Sequence, residues 1–196
     1  MRVLRAADRT AVPWKNGGGI TREITGFPAG ASAAGFEWRI SLAEVATNGP
    51  FSEFPGVDRI LTMVEGKGMA LTLNGTAPRL VDARHVPQHF PGDVPTDCRL
   101  LEGPVANLNV MYRRGTDTTA HVEVVHGRFG PVTVPPHGST VVVVALDAPV
   151  ALPGAGLTLG PYDAVVCTED PGALHTGGHT GGHTDGRAAV ITVRHG

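Results

Sequence analysis

Short stretches in which apolar and polar residues alternate dominate the chain. In the segment 36–42 every second residue is apolar, and Glu37, Arg39 and Ser41 fill the positions between. A period of two predicts a β-strand with one apolar face and one polar face. Runs of similar character predict further strands at 59–64, 69–73, 80–81, 99–101, 107–112, 121–125, 140–146, 157–159, 164–167 and 189–193.

Turn residues separate these runs throughout the chain. The pair Asn74-Gly75 predicts a hairpin, because both residues tolerate a positive φ. No stretch shows a long apolar period of 3.6 residues, so helices should be few and short. Many short strands with frequent turns predict an all-β barrel or sandwich fold. A division near 115 would give two strand-rich halves, 1–115 and 116–196, which we expect to pack as one compact unit.

Composition narrows the classes of function. The 196 residues carry a formal net charge of −2 without a basic stripe, so we expect no nucleic-acid partner. No apolar run approaches the roughly 20 residues that span a membrane, and the N terminus has no signal region. We therefore expect a cytoplasmic protein without a membrane partner. Cys98 and Cys167 are expected to be reduced thiols within strands.

The densest motif is the segment 13–24, Pro-Trp-Lys-Asn-Gly-Gly-Gly-Ile-Thr-Arg-Glu-Ile. Three consecutive glycines allow unusual φ and ψ angles and a close approach by a ligand or another strand. Lys15 and Asn16 offer hydrogen-bond donors, and Thr21 and Glu23 alternate along the strand that follows. From composition, the loop either lines a pocket or forms a structural crossing where only glycine fits. It is not a nucleotide-binding loop, because the required lysine spacing is absent and no helix follows.

The same segment resembles the WKNGGG-x-T-x-E signature of the HutD/Ves family. The resemblance continues, in the family's order, through 36–43, 49–59, 66–68 and 103–114, and it covers roughly residues 1 to 115. Beyond residue 115 only strand character is compatible with the family. The repeat His-Thr-Gly-Gly at 175–184 departs from the family pattern and resembles an inserted loop.

The resemblance implies a bicupin, a protein with two jelly-roll β-barrels. It also implies a connection to bacterial histidine catabolism, in which family members are thought to bind small ligands and to regulate the pathway. The implied ligands are acidic intermediates such as urocanate or formylated glutamate derivatives.

The metal ligands of typical cupins are missing from this chain. When the first cupin motif is anchored at Gly49, its histidine positions fall on Pro55 and Val57, and its carboxylate position falls near Leu61 or Thr62. A metal needs several donors that converge on one point. The sequence therefore predicts no cofactor and no metal in the barrel. The histidine repeat at 175–183 is either a solvated loop or a weak site for a divalent metal.

Polar faces of two predicted strands suggest a different occupant for the barrel. Arg39 and Ser41 share one face, and Asn107, Asn109, Met111 and Arg113 share another. These faces either point to water or line a pocket in which arginine grips a carboxylate. With the family resemblance, we predict a ligand-binding site composed of Lys15, Asn16, Thr21, Glu23, Arg39, Ser41, Phe51, Phe54, Asp58, Arg59, Asn109 and Arg113.

Three hypotheses for function follow. The favoured one is a binding protein that captures a small anionic metabolite and regulates or buffers histidine utilisation. The second is a metal-independent cupin enzyme, an isomerase, lyase or hydrolase acting on a small carboxylate, with Glu23, Lys15 or Asp58 as acid or base. The third is an interaction module that uses the glycine motif. The catalytic residues stay unknown, and the sequence leaves the oligomeric state open, a homodimer included.

Overall fold

The computed structural model describes residues 1–32, 35–127, 135, 138–152, 155–168 and 186–195. The fold is all-β, as the alternation predicts, and the described residues contain no α-helix. The single short 3₁₀ segment with assigned bounds is Ala6–Asp8. The chain forms two compact units. We call Arg9–Thr118 the N-terminal unit, and Met1–Asp8 together with Thr119–Gly196 the C-terminal unit.

The N-terminal unit consists of two antiparallel sheets. A six-stranded sheet has the order β2-β3-β4-β11-β6-β9, and a four-stranded sheet has the order β5-β10-β7-β8. Their strands are β2 (Ala11–Pro13), β3 (Gly19–Phe27), β4 (Trp38–Val45), β5 (Gly49–Pro50), β6 (Val57–Glu65), β7 (Met69–Leu73), β8 (Arg79–Val81), β9 (Gln88–Pro91), β10 (Thr96–Leu100) and β11 (Val105–Arg113).

Apolar residues on the facing sides of these sheets form the core of the N-terminal unit. Leu61 and Met63 of β6 contribute to this core together with Met69 and Leu71 of β7, and all four side chains are fully buried. The two residues of each strand are two positions apart in the sequence, which places both on the same face of that strand. Removing this apolar surface from water, at about 25 cal/mol per Å², is the main term that stabilises the unit.

The predicted hairpin at Asn74-Gly75 is confirmed. Asn74 and Gly75 have φ values of 47° and 69°, and they connect the antiparallel strands β7 and β8. Because both residues tolerate the left-handed region, the chain reverses here without strain between strands whose twist is right-handed. The Asn74-Gly75 signal therefore predicts the position of the turn and the antiparallel pairing of the two strands beside it.

The C-terminal unit contains a five-stranded sheet of order β1-β16-β13-β17-β12 and a two-stranded sheet β14-β15. Its apolar centre is β13, in which all seven residues are buried. A continuous run of valines suits a strand that is covered on both faces. The strands are β1 (Arg2–Leu4), β12 (Thr119–His126), β13 (Ser139–Ala145), β14 (Val150–Leu152), β15 (Leu157–Leu159), β16 (Ala164–Cys167) and β17 (Arg187–Arg194).

The first eight residues belong with the C-terminal strands, although the sequence grouped them with the glycine-rich half. β1 pairs antiparallel with β16. Beside this pair, Asp163 accepts hydrogen bonds from the Ala6 backbone, from the Arg5 guanidinium at 2.7 Å and from the Gly160 backbone at 3.1 Å. Burial alone would raise the pKa of Asp163, but these donors outweigh it and lower the pKa. The carboxylate therefore ties the N terminus to this unit.

Both cysteines are free and buried within strands, as expected. Cys98 lies on β10 and Cys167 lies on β16. Burial raises the pKa of the Cys98 thiol to about 11 and also raises the pKa of Cys167. Both groups are therefore neutral thiols at physiological pH, and neither has the thiolate character of a catalytic cysteine.

Candidate functional site

Alternate residues of β4, β11 and β6 form a polar surface on the buried side of the six-stranded sheet. The register places Ser41 beside Asn109, and one row further it places Met111 between Arg39 and Arg59. Ser41 is 2% exposed, Asn109 5% and Arg59 6%. The polar faces that the sequence predicted therefore point into the unit and not to bulk water.

This surface forms one side of a cavity of about 120 Å³. The predicted site residues on its wall are Thr21, Arg39, Ser41, Phe51, Phe54, Arg59 and Asn109. The wall also contains Trp14, Ala43, Ser52 and Met111, which sequence reasoning did not include. We call this cavity the arginine pocket.

Arg59 provides a buried guanidinium to the arginine pocket. Its Nη2 and Nε donate to the side-chain oxygen of Asn109, at 3.2 and 3.4 Å. Its guanidinium carbon lies 5.1 Å from the ring centre of Phe51, 5.1 Å from that of Phe90 and 6.0 Å from that of Phe54. The negative faces of aromatic rings attract the cation without taking up its N–H donors. Arg59 is thus held in place while most of its donors stay available.

Arg39 provides the second guanidinium. Its guanidinium carbon lies 4.9 Å from the ring centre of Phe36 and 5.6 Å from that of Phe54, so Phe54 contacts both arginines. Its Nη2 lies 3.6 Å from the sulfur of Met111, which is a weak acceptor. Its Nε is buried and has no hydrogen-bond partner among the described residues. A buried donor without a partner is costly to the fold.

The two arginines give the pocket a positive charge. Burial, and then the neighbouring charge of Arg39, lower the pKa of Arg59 to about 10. Burial also lowers the pKa of Arg39, opposed by the charge of Glu23. At a pKa of about 10 the Arg59 guanidinium stays protonated at neutral pH, and arginine side chains such as that of Arg39 keep their proton in proteins. Neither forms an ion pair with any residue that the structure describes.

A chain of amide side chains extends from Arg59 into the sheet. Asn109 accepts from Arg59 and donates from its own nitrogen to the side-chain oxygen of Asn107, at 3.0 Å. This arrangement fixes the orientation of the Asn109 amide, because its oxygen must face the guanidinium. Asn109 is therefore the hydrogen-bonded support that orients Arg59, as well as part of the pocket wall.

A second hollow of about 200 Å³ adjoins the arginine pocket and shares Trp14, Thr21 and Arg39 with it. Val12, Pro13 and Glu23 complete its lining, and we call it the outer hollow. The indole nitrogen of Trp14 donates to the Thr21 hydroxyl at 2.8 Å, and its ring packs edge-on against Phe51. Trp14 is thus fixed where the two spaces meet.

The glycine motif proves to be a structural crossing that positions Trp14. The Trp14 backbone bonds to that of Gly19, and Gly17 donates to the Trp14 carbonyl. A side chain at Gly19 would collide with the Glu44 carbonyl oxygen, and Gly17 has a φ of 71°. Of the two interpretations left open by composition, the close crossing of strands therefore accounts for the glycines.

Five predicted site residues do not line the arginine pocket. Glu23 lines the outer hollow, and the other four lie elsewhere. Lys15 is exposed, and Asn16 bonds to the Gly18 backbone within its own turn. Arg113 donates to the Phe36 carbonyl at 3.2 Å. Asp58 lines another groove, which shares Arg59 with the arginine pocket, and it pairs with Arg114 at 3.0 Å and not with its neighbour Arg59. A role for these residues in ligand binding stays a prediction, and the geometry lends it no support.

A cupin metal does not fit the arginine pocket. Two guanidinium groups line the space, and their charge would repel a cation. Within the described parts of the chain, no three His, Cys, Asp or Glu side chains are grouped as metal ligands would be. The histidine repeat at 175–184 lies outside the described residues. No described helix has the length and apolar character needed to cross a membrane.

Comparison with known proteins identifies the family. The family model described as HutD matches residues 6–184. The chain belongs to the HutD family. The structure of HutD from Pseudomonas fluorescens SBW25, obtained in a formate condition, has a TM-score of 0.79 and 32% identity, and the match covers 100% of this chain and 98% of that one. This HutD-family protein has the all-β fold of a double cupin, as the resemblance implied.

Two curated relatives match a shorter stretch. The uncharacterized 21.2 kDa protein in the hutC 3'-region of Pseudomonas putida is 40% identical over 115 residues, which are 57% of this chain and 58% of that protein. Protein Ves of Citrobacter koseri is 44% identical over 103 residues, which are 52% of each chain. The chain thus spans little more than half the length of these curated relatives.

Proposed function

We propose that the arginine pocket binds a small carboxylate metabolite, and that the protein uses this binding to regulate or buffer histidine utilisation. The observation that carries the proposal is the buried guanidinium of Arg59 beside the half-buried guanidinium of Arg39, neither of which has an ion-pair partner among the described residues. Holding charge out of water is expensive unless an opposite charge accompanies it. A bound anion supplies that charge.

The donors in the pocket suit a carboxylate. A guanidinium presents its N–H groups in a planar fork that matches the two oxygens of a carboxylate, and such hydrogen bonds are charge-assisted. Arg39, Arg59 and Ser41 all line the arginine pocket, so guanidinium and hydroxyl donors are available to one ligand there. Phe51 and Phe54 keep water away and strengthen these bonds.

The dimensions favour a small metabolite. An apolar cavity of about 150 Å³ holds a benzene molecule. The arginine pocket, at about 120 Å³, has room for a carboxylate and several further atoms, and the outer hollow adds about 200 Å³. Urocanate and formylglutamate, the ligands that the family resemblance implies, are anions of this size class.

The composition of the wall favours binding over catalysis. None of the residues that line the arginine pocket is an aspartate, glutamate, histidine, lysine or cysteine. General acid–base catalysis needs a group whose pKa lies near the working pH and which reaches the reacting atom. The guanidinium groups, with the pKa of Arg59 at about 10, stay protonated and serve to hold an anion.

Ligand-dependent stability tests the proposal. Urocanate and formylglutamate should each raise the melting temperature of the protein, because a ligand that binds only the folded state stabilises it by RT ln(1 + [L]/Kd). The methyl ester of urocanate, which lacks the carboxylate charge, should have no effect. Absence of any shift with both acids at 10 mM, confirmed by calorimetry, would refute carboxylate binding.

A matched pair of variants assigns the effect to the pocket. Arg59→Gln removes a buried guanidinium, and Arg99→Gln removes an exposed arginine of the same unit. We expect the first to abolish the ligand response and the second to keep it. The regulatory part of the proposal is tested separately, in the host cell. Deletion of the gene should raise the intracellular urocanate concentration during growth on histidine, and an unchanged concentration would contradict regulation without affecting the binding result.

A further inference from the structure

The outer hollow, unlike the arginine pocket, has a carboxylate in its lining. Its charged side chains are Glu23 and the shared Arg39. Glu23 is exposed at the opening and forms no hydrogen bond or ion pair with a described residue. Its carboxylate nevertheless acts on Arg39 through space, since its charge opposes the lowering of the Arg39 pKa. A hydrogen-bond acceptor therefore lies in a hollow that adjoins the donor-lined arginine pocket and shares Trp14, Thr21 and Arg39 with it.

The sheet places the acceptor on the same face as the donors. Glu23 of β3 pairs with Ser41 of β4, which lines the arginine pocket. The register of β3 shifts immediately after Glu23, and Ile24 and Thr25 are both buried. Such irregularities re-aim side chains and are frequent next to functional sites. Glu23 is thus the last residue of the regular part of β3 that shares this face.

Arg59 and Glu23 stand at opposite ends of the combined space. Three strand spacings, about 14 Å of sheet, separate β3 from β6. Both long side chains extend from these strands over the same face, with Ser41 and Asn109 between them. The acceptor end and the donor end are therefore far enough apart to contact different groups of one small molecule.

We propose that Glu23 selects ligands that carry a nitrogen hydrogen-bond donor in addition to the carboxylate held by the arginines. The inference rests on the proposed function and names the ligand class of the same site. A protonated amine or an amide N–H would bind Glu23 while the carboxylate occupies the arginine pocket. A ligand with a second carboxylate at that end would be repelled. The site thus favours amino or amido carboxylates over simple acids and dicarboxylates of the same length.

Three ligands of matched length test this selectivity: pentanoate, 5-aminopentanoate and glutarate. Calorimetric titration of the full chain should show 5-aminopentanoate binding about tenfold more tightly than pentanoate, with glutarate weakest. In Glu23→Gln the affinity for 5-aminopentanoate should fall about tenfold. The affinity for pentanoate should stay the same or rise, because a carboxylate near Arg39 has been removed. A merely structural role of Glu23 would weaken both ligands together.

Glu44→Gln is the matched control, since Glu44 is an exposed carboxylate on the same sheet, held on the surface by Arg22. It should keep the wild-type order of the three ligands. Equal affinity of wild-type protein for pentanoate and 5-aminopentanoate, or loss of both in Glu23→Gln, would overturn the role of Glu23 while leaving carboxylate binding intact. Failure of all three acids, and of urocanate and formylglutamate, would overturn the proposed function as well.

Discussion

Replacing Arg59 by methionine should abolish ligand binding without lowering the stability of the ligand-free protein. Arg59 is 6% exposed and has no counter-charge among the described residues. Methionine is unbranched and flexible, so it fills much of the same space between the phenyl rings without a charge. If the guanidinium serves to bind an anion, its removal should change the free energy of unfolding little and abolish the stabilisation by ligand.

The magnitude follows from the pKa. Burial and the charge of Arg39 lower the pKa of Arg59 from its ordinary value to about 10. A tenfold change in a proton equilibrium is worth about 1.4 kcal/mol, so the folded protein holds this charge at a cost of about 3 kcal/mol. Because the pKa is lowered on folding, the full cost applies at neutral pH, begins to fall as the pH rises through about 10 and vanishes only above the ordinary pKa of arginine.

Two losses offset the relief of this cost. The contacts with the phenyl rings are worth about 1–2 kcal/mol. The Asn109 oxygen, which accepts two bonds from Arg59, loses its donors at a cost of about 1 kcal/mol. When these two losses are subtracted from the relieved cost of about 3 kcal/mol, the free energy of unfolding of Arg59→Met should lie between the wild-type value and about 1 kcal/mol above it.

Chemical and thermal unfolding with and without ligand provide the assay. At 100 times Kd, a ligand stabilises the wild type by about 2.7 kcal/mol, and its melting temperature should rise by about 5–10 °C. The variant should show no rise. A loss of about 3–5 kcal/mol in the ligand-free variant is typical of breaking a buried ion pair and would refute the reasoning. An undiminished ligand response in the variant would refute it equally.

Two further predictions concern the parts of the fold that support the site and the N terminus. Gly19→Ala should lower the unfolding free energy by about 3 kcal/mol, because its methyl group collides with the Glu44 carbonyl. Gly17→Ala should lower it by about 1–2 kcal/mol, because the space there is open but φ is positive. Equal losses of the two variants in urea unfolding would contradict the crossing. Asp163→Asn should lose about 1–2 kcal/mol at pH 7. Since the pKa of Asp163 is lowered on folding, the wild-type advantage should shrink as the pH falls below the ordinary pKa of aspartate and vanish below the lowered one, and an advantage that stays constant on acidification would contradict this assignment.

The strands were readable from the sequence because their signal is local. The run 69–73 corresponds to β7 residue for residue, and the Asn74-Gly75 turn joins it to β8. Short strands without alternation escaped notice, and β1 is the clearest case. Three residues of Arg2–Leu4 carry no period, and their place beside β16 depends on pairing across most of the chain.

The candidate site was only partly readable, and for a related reason. Arg39, Ser41 and Asn109 were identified because each lies on the polar face of an alternating strand, and the pocket contains all three. Lys15 was chosen for its chemistry within a distinctive motif, yet it is exposed. Trp14, which lines both spaces, belongs to the same motif but is not among the predicted site residues.

The sequence by itself determined the all-β class, the positions of most strands and the family, because side chains alternate from one face of a strand to the other with a fixed period of two. Only the tertiary structure decided which polar face is enclosed. Arg39 and Arg59 are 20 positions apart, and the β3-β4-β11-β6 register brings them around one cavity. Closure depends on long-range pairing, and a period of two cannot distinguish a polar face turned to water from one turned inward around a ligand.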